Sequence, residues 1–482
     1  MRRSGCLLAS GALALGMLGA ERTPPGVLLL EVQERRSVAP SPLQRRAPKT
    51  VEEVITNEKA RGGYFSTCSV GTPPQDVVLL LDTGSSDTWI PASNAAVCSR
   101  RFSTDPCPLG SFNPSDSETY REFIQDGLEI TYLDESYVFG DYFQDTFDIG
   151  DSSVKNMTLG LGLNTTLNHG IVGIGYMLNE ASVRTSRIQY DNLPVALAKA
   201  NVTNSVAYSL WLNDFDSQMG NILFGGVDVE KYTGSMMSLN VTTADNSDEF
   251  DHFRVPLTSV QASSPSGSDT LTTTSYPIQV VLDSGTTLSS LPADLVDQMW
   301  REVGVDFSAV LRQPLIPCYR KESPGSFTFG FGGPDGPKVI VPMNELVLDI
   351  TLGQPPVFPS DSPYKGQDAC LFGIQDFGGP PYILGGTFLR SAYVVFDIVN
   401  NQVGMAQTDF NETKSNIVPF PSYGAAIPSA TAAPNQGQTD TPPSGTAPDF
   451  SASTGFQNAG WIPGALQLPA ILAISLAFWA AF

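Results

Sequence analysis

Leu81-Asp82-Thr83-Gly84-Ser85-Ser86 and Leu282-Asp283-Ser284-Gly285-Thr286-Thr287 are one six-residue pattern written twice in a chain of 482 residues. Each follows an apolar run, Val77 to Leu81 in the first half and Gln279 to Leu282 in the second. Each is followed, roughly ninety to a hundred residues on, by an apolar pair and a glycine, Ile171-Val172-Gly173 and Ile383-Leu384-Gly385. A single Asp-Thr/Ser-Gly is an ordinary turn. Two copies at matching places in a repeat, each delivered by an apolar strand, predict two similar lobes with a cleft between them.

Outward from these phrases, residues 60 to 410 read as short runs of Val, Ile, Leu, Phe and Tyr punctuated by Gly, Pro, Asp and Asn. Leu128 to Tyr132, Ile222 to Phe224 and Ala392 to Phe396 are further examples. This spacing predicts an all-β chain. Short helices are expected only at Leu193 to Ala200 and Pro292 to Val303. The lobes are expected over 60–228 and 229–410.

The chemistry follows from what each phrase supplies. The strand carries an Asp into a tight loop, the next hydroxyl can bond across to the partner loop, and Gly permits a sharp turn and a close approach. Two carboxylates brought face to face cannot both ionise easily, so they share a proton and their apparent pKa values separate. One site then holds an acid and a base, able to activate water with no metal, cofactor or covalent intermediate. The rest of the inventory favours such a site. His169 and His252 are the two histidines, and neither sits in a ligand or catalytic motif, which disfavours Ser-His-Asp, Cys-His and common zinc chemistries. The formal charge of −22 argues against nucleic acid and fits acidic surroundings.

The motifs together resemble the pepsin family of aspartic proteases, and within it the fungal GPI-anchored yapsins. Tyr64-Phe65, Val70-Gly71-Thr72-Pro73-Pro74-Gln75, Leu81 to Pro91, Val281 to Thr287 and Tyr382 to Phe396 carry the likeness over about residues 60 to 410. The resemblance implies the bilobal pepsin-like fold, with Asp82 and Asp283 as the catalytic pair acting on peptide bonds. It implies that Gly84, Gly285, Thr286 and Thr287 lie on the substrate side, with Ser85 and Trp89 behind the carboxylates and the flap. The flap, a hairpin that closes over substrate, maps to Glu129 to Tyr132 and beyond, and Tyr132 is expected to reach toward Trp89. Here the chain departs from the family. Leu133-Asp134-Glu135-Ser136 stands where two glycines are usual, which should stiffen or reshape the tip. Asp134 and Glu135 also bring negative charge, and imply a preference for Lys or Arg beside the scissile bond.

Both ends read as addresses. Met1-Arg2-Arg3, the apolar run from Cys6 to Leu18 and the small residues around Ala20 form a signal peptide over 1–20. Residues 21–46 carry Arg35-Arg36 and Arg45-Arg46 and read as a propeptide that silences the enzyme until it is cut. Residues 411–457, rich in Ser, Thr, Pro, Ala and Gly, read as an extended stalk. The small triplet at Asn458, a spacer and the apolar tail from Leu468 to Phe482 read as a GPI-anchor signal over 458–482, with Asn458 as attachment point. Asn156, Asn164, Asn201, Asn240 and Asn411 each head a glycosylation sequon. Cys98 and Cys107 can close a small loop, Cys318 and Cys370 a larger one, and Cys68 is left as a thiol packed in a strand. The expected protein is a monomeric, secreted endopeptidase held at the cell surface. Its rival is an inactive binding protein on the same scaffold, which the two intact Asp phrases disfavour.

Overall fold

The computed structural model of the protein describes residues 28–35, 63–99, 106–150, 152–217, 219–244, 247–350 and 354–436. The signal peptide, most of the propeptide, the distal stalk and the anchor signal with Asn458 lie outside the described residues.

The repeat read in the sequence becomes a repeated pairing. Strand Gln75–Asp82 runs parallel to Gly170–Gly173, with Leu81 opposite Val172 and Asp82 opposite Gly173. Strand Ile278–Leu282 runs parallel to Tyr382–Leu384, with Val281 opposite Ile383 and Leu282 opposite Leu384. Leu79, Leu81, Val172, Val280, Leu282 and Leu384 are all buried, so both Asp-bearing strands are held by burial on both faces and cannot slip register cheaply. The first strand ends on Asp82 and the second one residue before Asp283. The two Asp loops therefore emerge at the rim of a packed core.

The chain folds as a bilobal, all-β pepsin-like protein. Among the described residues, fourteen strands form one large sheet and eight form a second. The large sheet runs from the hairpin Arg121–Thr131 with Tyr137–Ile149 through the first lobe to Ala207–Trp211, and on to Ala392–Asp397, Gln402–Thr408 and Tyr232–Asn240 of the second lobe. Lobes joined this way share one hydrophobic core, in which Leu79 and Leu282 belong to the same cluster. The expected helices form over Leu193–Lys199 and Ala293–Val303, the second ending at Gly304 in the left-handed conformation glycine favours. Cys98–Cys107 and Cys318–Cys370 are disulfide-bonded, and Cys68 is a buried thiol in strand Gly63–Val70.

Within the predicted propeptide, Leu28–Arg35 forms a strand in the large sheet, antiparallel to Met219–Phe224 on one side and to Gly63–Val70 on the other.

The stalk begins later than its composition predicts. Residues 411–436 pack onto the protein. Ile417–Pro419 pairs with Gly226–Asp228, and Ala430–Ala432 adds a parallel edge strand to Tyr232–Asn240. Phe420, Ile427 and Ala433 are buried, and the Asp228 carboxylate accepts from the Asn416 N–H and the Ser415 hydroxyl, both at 2.8 Å. A few apolar residues spaced among Ser, Thr and Pro escape a reading based on composition, yet each fills a specific site. Removing this strap should therefore cost stability. Phe420 and Ile427 are each worth about 1.5–3 kcal/mol of burial. A chain ending at Asp409 is expected to melt several degrees below one ending at Gln436 in a thermal-shift assay, and equal midpoints would show the strap to be dispensable.

Candidate active site

The two Asp loops lock one another. The Thr83 hydroxyl donates to the Leu282 carbonyl at 2.8 Å and accepts from the Ser284 N–H at 2.9 Å. The Ser284 hydroxyl donates to the Leu81 carbonyl at 2.8 Å and accepts from the Thr83 N–H at 3.1 Å. All four groups are buried, and each hydroxyl uses both its donor and an acceptor site. The position after each Asp must thus be a hydroxyl residue, and the lock sets the distance between the carboxylates.

Each carboxylate is gripped in the same way. Asp82 Oδ1 accepts from the Gly84 N–H at 2.8 Å, and its Oδ2 accepts from the Ser85 hydroxyl. Asp283 Oδ1 accepts from the Gly285 N–H at 2.8 Å, and its Oδ2 accepts from the Thr286 hydroxyl at 2.6 Å. The glycines are required by proximity. A Cβ on Gly84 would lie 2.5 Å from Asp283 Cγ, and one on Gly285 would lie 2.5 Å from Asp82 Oδ1. Each glycine thus lies against the other loop's carboxyl group, which brings the two acids close together. Burial, then the charge of Asp283, hold the Asp82 carboxyl well above the ordinary carboxylate range, despite the opposing bond from Ser85. Two acids held this close make it costly for both to ionise. Thr287 lies on the same loop, half-buried, with its carbonyl accepting from the Thr387 N–H at 3.0 Å.

Across the cleft, Trp89 Nε1 donates to the Tyr132 hydroxyl at 2.8 Å. The hairpin tip closes without glycine. The Tyr132 N–H donates to the Ser136 carbonyl at 2.8 Å, and the Glu135 N–H to the Tyr132 carbonyl at 3.0 Å. Asp134 Oδ1 accepts from the Ser136 N–H at 3.0 Å and from its hydroxyl at 2.6 Å. Glu135 takes the left-handed conformation, with φ of 68°, that a glycine would adopt without steric cost. The tip is therefore a conventional tight turn. Asp134 braces it, and a strained Glu135 carries its charge into solvent.

A group beneath the flap escaped the sequence reading. Asp87 is buried, and its carboxylate accepts from the Tyr142 hydroxyl at 2.5 Å, the Tyr190 hydroxyl at 2.7 Å and the Ala181 N–H at 2.9 Å. It fastens the strand leading to Trp89 to the flap strand and to the segment at 181–190. Asp87 directly follows the first Asp phrase and precedes the apolar strand at Trp89, and that placement was the available signal. Tyr142 and Tyr190 carry none. Asn156, Asn164, Asn201, Asn240 and Asn411 are all exposed. His169 packs edge-on to Phe65.

Known proteins are similar to this chain in sequence. A sequence model of the family described as eukaryotic aspartyl protease matches residues 63–408. A protein of Aspergillus oryzae named "Probable aspartic-type endopeptidase opsB" is 37% identical over 89% of this chain and 85% of its own length. Aspartic proteinase yapsin-3 of Saccharomyces cerevisiae is 28% identical over 82% of this chain and 75% of its own. Secreted aspartic protease 8 of Candida albicans is 32% identical over 78% of this chain and 82% of its own. With two gripped carboxyl groups facing one another, and a family match that spans both lobes, this chain belongs to the eukaryotic aspartyl proteases and is an aspartic-type endopeptidase.

Proposed function

We propose that Asp82 and Asp283 carry out peptide hydrolysis in this enzyme, that it works at acid pH on secreted or surface proteins, and that it favours basic residues beside the scissile bond. The observation that carries the reading is the close approach of the two carboxyl groups, each fixed by a glycine N–H and a hydroxyl. A water bound between them gives one proton to the carboxylate of Asp283, and its oxygen adds to the peptide carbonyl carbon. Asp82 passes its proton to the carbonyl oxygen, so the tetrahedral adduct forms without net charge. Return of a proton to the amide nitrogen lets the C–N bond break. The acid must hold its proton for the first step, and activity is lost as pH rises through the raised titration of Asp82.

Acid operation has a second support. Glu180 is fully buried beside Asp87, its Oε2 accepts from the Tyr190 N–H at 3.0 Å, and its Oε1 has no hydrogen-bond partner. Burial pushes its pKa from 4.5 up to about 9. Between those values the folded state binds a proton that the unfolded chain releases, so stability falls as pH rises.

Asp134 and Glu135 put two carboxylates at the exposed flap tip, where a substrate side chain passes, and this supports the basic preference. Leu28–Arg35 in the sheet supports a precursor whose N-terminal segment is part of the fold until cleaved at a dibasic pair, and silent until then. The names of secreted and yapsin relatives, the five exposed sequons and the tail after Asn458 support a route through the secretory pathway to a GPI-anchored surface position, as a monomer.

Asp82→Asn keeps an oxygen for the Gly84 N–H and reverses the Ser85 contact, its NH₂ donating to the hydroxyl, so it should hold the thermal midpoint while lowering kcat about 10²–10⁴-fold or more, measured on mixed peptides from acid to neutral pH. Retained activity would remove Asp82 from the chemistry. Asp134→Asn keeps the acceptor for Ser136 but removes the charge. It should lower the ratio of kcat/KM for matched Lys and Leu peptides by roughly two- to fivefold, the scale of an exposed ion pair. A ratio near one in the native enzyme would end the basic-preference reading. Melting curves of the native enzyme should move to lower temperature as pH is raised above 4.5, and Glu180→Gln should flatten that dependence; parallel curves would assign the effect to other groups.

A further inference from the structure

His252 is not part of the machinery described above, yet it reaches the Asp82 loop through one intermediary. Asn179, at the end of the short turn Met177–Asn179, directs its Nδ2 at two acceptors. It donates to the Gly84 carbonyl at 3.3 Å and lies 3.3 Å from His252 Nε2. The other ring nitrogen, His252 Nδ1, lies 3.3 Å from Asp251 Oδ2. An unprotonated imidazole carries one N–H. With the Asn179 NH₂ directed at both the Gly84 carbonyl and Nε2, the Nε2 lone pair accepts and the N–H lies on Nδ1, between Asp251 and an Arg254 nitrogen that also points a donor at it. The Arg254 guanidinium binds Asp251 through both terminal nitrogens and lies 3.2 Å from Nδ1. A chain of contacts thus runs from the second half of the sequence into the first: Asp251, His252, Asn179, Gly84. Its last member carries the N–H that grips Asp82.

We propose that His252 is a pH-responsive positioning residue, which on taking a proton turns the Asn179 amide and withdraws the donor held on the Gly84 carbonyl. The reason is donor arithmetic. Imidazolium donates from both nitrogens, so Nε2–H and the Asn179 NH₂ would meet donor to donor. Turning the amide puts its oxygen toward Nε2–H. The charged bond gained is about twice as strong as the long neutral bond lost. The half-buried Gly84 carbonyl, beside Asp82 on the cleft side, is then open to another donor, and an extended peptide carries N–H groups along its length.

The charged groups facing His252 are Asp251 and Arg254 from its own segment and Asp283 from the opposing loop. Burial, seconded by Arg254, outweighs the two carboxylates and sets its titration below the ordinary 6.5. Glu180, next to Asn179, is turned away to the Tyr190 N–H. The transition therefore falls in the acid range in which the enzyme is proposed to work. The functional consequence rests on the reading of Asp82 and Asp283 as the catalytic pair. The titration itself does not.

The chain has two histidines, so nitrogen-15 histidine NMR of the full chain resolves both rings, with His252→Gln assigning the second. The His252 ring is expected to hold its proton on Nδ1 at neutral pH and to titrate at Nε2 below 6.5. In the native enzyme KM for a peptide substrate should fall, by roughly three- to tenfold, as pH drops through that midpoint, with kcat changing less. His252→Gln keeps an acceptor for Asn179 at every pH and should lose this limb of the KM profile while retaining its fold. Asn179→Leu should lose the limb while His252 still titrates. A His252→Gln profile superimposable on the native one, or a ring already protonated at Nε2 at neutral pH, would overturn the proposal. A merely structural role would shift KM equally at all pH values. Failure of the catalytic-pair reading shows elsewhere, as activity in Asp82→Asn, and leaves the NMR result unchanged.

Discussion

The rest of the site depends on the crossed bonds between Thr83 and Ser284. Each hydroxyl donates to a carbonyl of the opposite strand and accepts from the opposite loop's N–H. In a buried setting every one of these groups would be costly if unpaired, so the two loops can approach in essentially one register. That register brings Gly84 against the Asp283 carboxylate and Gly285 against Asp82, at distances no side chain would allow. The raised titration of Asp82 follows from burial and from the Asp283 charge that this register holds close.

The same economy of buried acids extends below the flap. Asp87 is ringed by two tyrosine hydroxyls and an N–H, while Glu180 beside it has a single N–H partner and a pKa of about 9. Three buried carboxyl groups in one lobe, all raised by desolvation, tie its stability to low pH. A chain of formal charge −22 gains in the same direction as its surface carboxylates are neutralised. Stability and the chemistry of the pair thus favour the same conditions.

The flap and the strap show two ways of closing a fold without the expected residues. At the tip, Asp134 braces the turn through Ser136, and Glu135 accepts a positive φ that costs about 1 kcal/mol. At the far end, a segment poor in apolar residues earns its place through Phe420, Ile427 and Ala433 and the bonds to Asp228.

The sequence by itself determined the two lobes, the strands that deliver Asp82 and Asp283 and the matching landmarks at Ile171 and Ile383, and it offered both cysteine pairings without settling them. These rest on local signals: apolar runs of strand length, a turn chemistry written twice, and cysteines few enough to pair. Tertiary structure alone decided what Asp87 holds, that Asn179 and His252 reach Gly84, and that residues 411–436 are folded. Those contacts join residues far apart in the chain, 73 positions for Asn179 and His252 and 103 for Asp87 and Tyr190. A polar residue among polar neighbours has no pattern that names its partner. Only the packed chain does, because burial then makes leaving that partner unmet expensive.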